Sequence, residues 1–353
     1  MSRTVFLVAA VVATVLPVEP AVAATRPKTV AARPLHVSAN RLVDDAGRVV
    51  QLRGVNRNSP EVLCIATNRS SYFHGPTDAA SVAAIKSWQA NVVRIPVNED
   101  CWLGRNGLPV SGTAADYRAQ LTSYTRALVA GGLNVMIDVH FAETTTAGVT
   151  APSYGAAPML DKAHGAELWR SIATTFRADK AVLFDLYNEP HSITWECWRD
   201  GCGDYAGMQE LVTAVRSVGA TNPIVLTGPS WGNELTRWLT FRPADPSNNL
   251  VAGVHIYPES GCATRECVDA RILPVAAVAP VVVAEFGDTG CLGPFLEALP
   301  AWADPHGIGY IAFTWNVSAL PCAGYHLISA FDGTPTPAGA VFREHLRVAA
   351  AKH

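Results

Sequence analysis

Charge is scarce in this 353-residue chain and neither sign prevails: 27 Lys and Arg stand against 30 Asp and Glu, a formal net charge of -3. That balance argues against nucleic acid or an anionic membrane surface as a partner. No apolar run reaches the roughly 20 residues that span a bilayer; the longest, Val5 to Leu16, falls short, so no membrane anchor is expected. No Cys-x-x-Cys pair occurs among the eight cysteines, and neither a metal nor a cofactor is expected. Ser/Thr/Pro-rich linkers and low-complexity tracts are missing too, so no appended binding module is expected.

The short apolar run has a different reading. Arg3 precedes it, Pro17 and Pro20 follow, and the small residues Ala21, Ala23 and Ala24 come next. A charged start, an apolar core and an Ala-x-Ala-like end describe a secretory signal peptide over residues 1–24, cleaved near Ala23 or Ala24. No cysteine stands at the cleavage site to take a lipid, so a secreted, extracellular, monomeric protein is expected. Residues 25–34 form a lead-in without periodicity. Eight cysteines in an exported chain imply disulfides. Two short spacings suggest local bridges, Cys197 with Cys202 and Cys262 with Cys267, which leaves Cys64, Cys101, Cys291 and Cys322 to pair across loops.

Residues 35–347 read as one domain. Its start, Leu35 to Asn56, reads as a hairpin that turns at Asp44-Asp45-Ala46-Gly47. The last strand of that hairpin is the first of eight strand-like runs, the others lying at 91–97, 133–139, 182–187, 224–226, 250–256, 281–284 and 308–313. Helical patterns fall between them, as at 78–89, 115–131, 166–177 and 205–218. Eight alternating units point to an α/β fold, a single (β/α)8 TIM barrel, with a doubly wound sheet as the alternative. A barrel requires chemistry at the carboxyl ends of its strands. Arg94 ends the second strand, His140 the third, Asn188 and Glu189 the fourth, His255 and Tyr257 the sixth, Glu285 the seventh and Trp315 the eighth. All eight cysteines fall after strands as well, so the disulfides are expected to brace the same face.

Glu189 and Glu285 carry the most information. Each closes a buried apolar run, Val-Leu-Phe-Asp-Leu-Tyr-Asn-Glu-Pro over 182–190 and Val-Val-Val-Ala-Glu-Phe-Gly over 281–287. A carboxylate is costly to desolvate there, and two of them in one fold suit glycosidic bond hydrolysis. The set Arg94, His140, Asn188-Glu189-Pro190, His255-x-Tyr257, Glu285-Phe286-Gly287 and Trp315 resembles glycoside hydrolase family 5, a family of cellulase-like retaining barrel glycosidases, over about residues 35 to 347. The resemblance implies Glu189 as acid/base and Glu285 as nucleophile.

The chemistry asks for the same division. A nucleophile must stay ionised, and Arg94 with the Tyr257 hydroxyl suits that task. The acid must start protonated, which a nearby carboxylate and partial burial both favour. Asn188 is expected on the sugar 2-hydroxyl, His140 and His255 on hydroxyls or on Glu189, and Trp315 as an apolar floor under the sugar. Trp102, Trp195, Trp198 and Trp231 are possible subsite aromatics, Trp88 reads as core, and Glu143 has no assigned role. The end of the third strand, Asp138-Val139-His140-Phe141, and the Thr/Ala/Gly-rich loop after it depart from the family's cellulases and leave the subsites open. The expected activity is a secreted retaining endo-β-glycosidase on β-1,4-glucan. The alternatives are β-mannan or β-1,3-glucan, or a non-catalytic carbohydrate-binding protein on the same scaffold.

Overall fold

A computed structural model of the chain describes Met1 and residues 30–143, 157–318 and 324–352. The segment read as a signal peptide apart from Met1, most of the Thr/Ala/Gly-rich loop and Cys322 lie outside the described residues. No helix among the described residues is long and apolar enough to cross a membrane.

An antiparallel ribbon comes first, β1 (Leu35–Ser38) with β2 (Arg41–Asp44). Eight parallel strands follow: β3 (Arg53–Asn56), β4 (Val92–Asn98), β5 (Asn134–Phe141), β6 (Val182–Asp185), β7 (Ile224–Thr227), β8 (Leu250–Ile256), β9 (Val281–Phe286) and β10 (Gly309–Ala312). They close into a barrel in sequence order, with β10 pairing both β9 and β3. The (β/α)8 expectation holds strand by strand. The hairpin is corrected in detail, because its two strands turn at Ala39-Asn40, where Ala39 takes a left-handed φ of 52°. The turn expected at Asp44–Gly47 exists, but it leads only to a single bridge, Val43 with Val49, before β3 departs into the barrel.

Strand alternation decides what fills the barrel. Side chains at every second position point inward, so Val92, Met136, Leu183, Val225, Val251, Val282 and Ile311 meet in one apolar layer. Leu35 and Leu42 of the ribbon join that cluster and seal the amino end. The intervening residues, such as Val93, Ile95 and Val135, pack instead into the larger cluster shared with the helices. Two residues further along the inward face, the chain changes character. Arg94 follows Val92, Asp138 follows Met136 and Asp185 follows Leu183, all with no exposed surface. Alternation therefore stacks an ionic layer directly on an apolar plug.

The helices show the local rules at work. Asp78 caps the helix Ala79–Ser87 on Ser81 N, and Thr113 forms a capping box with Asp116 at the start of Ala114–Ala130. Three disulfides join described residues: Cys64–Cys101, Cys197–Cys202 and Cys262–Cys267. The two local pairings are as expected, Cys64 and Cys101 link the segments after β3 and β4, and Cys291 is also disulfide-bonded. Cys101, Cys197 and Cys267 stand in helices of those segments, not in open loops.

Candidate active site

Arg94 is the hub of the mouth. Its Nη1 donates to Glu285 Oε1 at 2.6 Å and to Asn56 Oδ1 at 3.0 Å, its Nε to Asp185 Oδ2 at 3.0 Å and its Nη2 to Asn188 Oδ1 at 2.9 Å. Asp138 Oδ1 lies 3.0 Å from Nη2. Burial disfavours a charged guanidinium, but Asp138, Asp185 and Glu285 outweigh it and hold Arg94 firmly protonated. The same burial raises Asp185 above the usual carboxylate range.

Glu285 reaches this hub through a β-bulge. Between paired positions β8 advances from Val254 to His255 while β9 advances from Val283 to Glu285, and the offset recurs against β10. The extra residue lets Ala284 stay in the apolar layer while the next side chain also turns inward. Tyr257 Oη donates to Glu285 Oε2 at 2.9 Å. Burial would raise the Glu285 carboxyl, yet His255, Arg94, His140 and the Tyr257 hydroxyl together hold it well below the ordinary range. Tyr257 is pushed far up in return, first by burial and then by Glu285, so it stays a donor.

Glu189 lies across the mouth, after β6, and its side chain is 24% exposed against 6% for Glu285. His255 stands between the two, with Nδ1 at 3.0 Å from Glu189 Oε1 and 3.8 Å from Glu285 Oε2. One ligand atom from each of the three lies within 4.8 Å of the others. Gly232 packs against the His255 ring, where a Cβ would come within 2.8 Å of Cγ, and its φ of 75° favours glycine. On the far side His140 Nδ1 binds Asp138 Oδ2 at 2.8 Å and its Nε2 lies 3.5 Å from Asn188 Nδ2. Burial opposes a charged His140, but the bond to Asp138 wins and raises its pKa to about 9. Arg94, His140, Asn188, Glu189, His255, Tyr257 and Glu285 thus meet in one site.

The aromatic expectations divide. Trp102 and Trp198 are wholly buried, with their indole N–H groups on Ser171 Oγ and Thr227 O, and Trp195 is wedged between Trp198 and Phe241. These three are core residues, Trp102 in the helix Glu99–Leu103 and Trp195 and Trp198 in the helix Trp195–Asp200, with their rings turned into the protein. Trp315 does follow β10, but it is 1% exposed with its ring edge-on to the core residue Trp88, so it packs the barrel and offers little open floor. Trp231 alone fits, being 55% exposed, stacked on His191 at 4.8 Å and bonded through its backbone N–H to Pro190 O. Asp138, Asp185, Asn56 and His191 carry no role in the sequence reading. Asp138 and Asp185 leave a signal nonetheless: each is an acid inside an apolar strand, on the inward face.

A sequence profile described as cellulase (glycosyl hydrolase family 5) matches residues 43–319. The chain belongs to glycosyl hydrolase family 5. Among curated relatives, this family 5 chain is 25% identical to a mannan endo-1,4-β-mannosidase of Streptomyces lividans, over 74% of its own length and 64% of the relative's. It is 28% identical to endoglucanase 1 of Saitozyma flava, over 48% and 49% of the two lengths. It thus spans less than two thirds of either relative. A β-glucanase of Saccharophagus degradans solved with cellotetraose shares the fold, with a TM-score of 0.69 at 16% identity over 91% of this chain and 95% of that one.

Proposed function

We propose that this family 5 chain is an exported, retaining endo-β-glycosidase that hydrolyses β-1,4-glucan, with Glu285 as nucleophile and Glu189 as acid/base. The spacing of the carboxylates carries the reading. Retention needs carboxyl groups roughly 5 to 5.5 Å apart, whereas inversion leaves roughly 6.5 to 9.5 Å for a water. Oxygens of Glu189 and Glu285 within 4.8 Å fit the first arrangement.

The environments support the division of labour. Glu285, buried on Arg94 and Tyr257, stays ionised and attacks the anomeric carbon from one face of the sugar. The more open Glu189 protonates the departing glycosidic oxygen. The covalent glycosyl-enzyme cancels the Glu285 charge, and Glu189 then takes a proton from the water that hydrolyses it. Asn188, aimed by Arg94, suits the sugar 2-hydroxyl, and Trp231 suits a sugar face on the leaving-group side because it continues the Glu189-Pro190-His191 rim. Disulfide bonds support export to an oxidising compartment, as expected of a signal peptide.

A second reading, β-mannan, rests on the Streptomyces lividans relative, whose match extends over the larger share of this chain. Both readings share one chemistry and part at the substrate. Carboxymethylcellulose, galactomannan, xylan and laminarin offered side by side distinguish them, and turnover of none leaves only carbohydrate binding. NMR of the first-released sugar is expected to show the β-anomer; an α-anomer would eliminate retention. Glu189→Gln is expected to slow polymer hydrolysis about 10²- to 10⁴-fold. It should spare glycosyl-enzyme formation from aryl glycosides whose leaving group needs no proton.

A further inference from the structure

Beside the mouth lies a second group of buried acids that the proposed reaction does not use. Glu99 starts the helix Glu99–Leu103 after β4, Glu143 follows β5, and Asp161 and His164 precede the helix Gly165–Phe176. Glu99 is 0% exposed, Asp161 3% and Glu143 8%. Ligand atoms of Glu143, Asp161 and His164 lie within 4.8 Å of one another. The Glu99 side chain faces Asp161, and its Oε2 accepts the Glu143 backbone N–H at 2.7 Å.

The unpartnered atoms point to a missing ligand. Glu99 Oε1, Asp161 Oδ2 and His164 Nδ1 are all buried without a hydrogen-bond partner. His164 Nδ1 abuts Glu143 Oε2 without a hydrogen bond to it and lies 3.5 Å from Asp161 Oδ1. Such orphans are costly in a dry site. Charge tells the same story. Glu143 and Asp161 bring two negative charges, burial and Asp161 push the Glu99 carboxyl well up, and Arg105, 3.0 Å from Glu143 Oε2, returns one positive charge. Asn106 donates to both Glu143 and Asp100. A shared proton would satisfy one facing pair of carboxylates; a divalent cation would satisfy the carboxylates and the imidazole together.

We propose that Glu99, Glu143, Asp161 and His164 bind one divalent first-row transition cation, Mn²⁺ or Zn²⁺. Three carboxylates suit Mn²⁺ and one imidazole suits Zn²⁺, while the imidazole disfavours Ca²⁺, which takes oxygen ligands. The ion would clamp the exit of β5 to the start of the helix Gly165–Phe176 and to the helix Glu99–Leu103. His140 lies three residues before Glu143, so the clamp would also steady one wall of the mouth.

The test uses the full chain, stripped with a chelator and titrated with Mn²⁺, Zn²⁺ or Ca²⁺ by calorimetry, with bound metal counted by mass spectrometry. One equivalent of Mn²⁺ or Zn²⁺ is expected, with a melting temperature higher by about 4 °C at a hundredfold excess over Kd. Asp161→Asn and His164→Ala should each abolish that shift. His164 is partly exposed, so its variant is expected to fold, with near-UV circular dichroism as the check. Glu189→Gln, which alters the other carboxylate–imidazole group, should bind like the parent. Three results would overturn the proposal: no bound metal and an unmoved melting temperature; binding retained in both cluster variants; or binding lost in Glu189→Gln. Preference for Ca²⁺ would overturn the choice of ion.

Discussion

The two ends of the barrel are built from the same strands and obey opposite rules. At the amino end Val92, Met136, Leu183 and Val225 interlock beneath the ribbon residues Leu35 and Leu42, without a polar side chain among them. Two residues along, Arg94, Asp138 and Asp185 replace them at equal burial. The lower layer needs only shape and hydrophobicity, so its members are interchangeable within limits of volume. The upper layer desolvates charges at a cost of several kcal/mol each, and it persists only because each charge has a partner. The plug thus holds the barrel closed while the layer above it fixes one carboxylate in position.

The largest expected effect breaks the ionic end alone. Glu285→Gln removes the attacking charge while keeping its shape, and kcat should fall by roughly 10⁴-fold or more with the circular dichroism spectrum unchanged. Activity near that of the parent would remove Glu285 from the chemistry. Met136→Ala makes the opposite break. It should lower stability by about 2 to 5 kcal/mol in denaturant unfolding while leaving kcat within a fewfold, because the cavity lies below the site. A large loss of kcat at full folding would show that the two layers are not separable.

A smaller effect belongs to the rim. Trp231→Ala should raise KM on long substrates roughly three- to tenfold with little change in kcat, the value of one sugar–aromatic contact. An unchanged KM would leave Trp231 without a role in binding.

The gentlest probe is pH. Glu285 is held below its ordinary 4.5, so its contribution to stability is present above that value and fades as pH falls beneath it. His140 is raised from 6.5 to about 9, so its contribution is complete below 6.5 and lost as pH rises through 9. Melting temperature should therefore be greatest between these limits and decline on both sides. His140→Gln should flatten the alkaline decline, and an unaltered decline would assign it to another group.

Much of the site was legible because a barrel strand has a simple grammar. Glu189, Glu285 and His140 stood out as polar residues closing apolar runs and Arg94 as a cation within one, and barrel topology gathers them on one face. Asp138 and Asp185 were legible by the same grammar, as acids on the inward face, once that face was known. The tryptophans were not. Trp102, Trp195 and Trp198 come after barrel strands much as Trp231 does, and only the packing of the short helices that carry the first three decides that their rings are buried.

By itself the sequence determined the closed order of eight strands and the pair of glutamates, since these follow from periodicity and from residue types that bear their own chemistry, while the family followed from resemblance to glycosyl hydrolase family 5. The tertiary structure alone decided which way Glu285 points, because one extra residue in β9 reverses a side chain's direction without altering composition or spacing in any telling way. It also decided the partners of Arg94 and brought Glu99, Glu143, Asp161 and His164 together from three segments. Contacts between distant parts of a chain depend on packing, and packing leaves no local mark on the residues that meet.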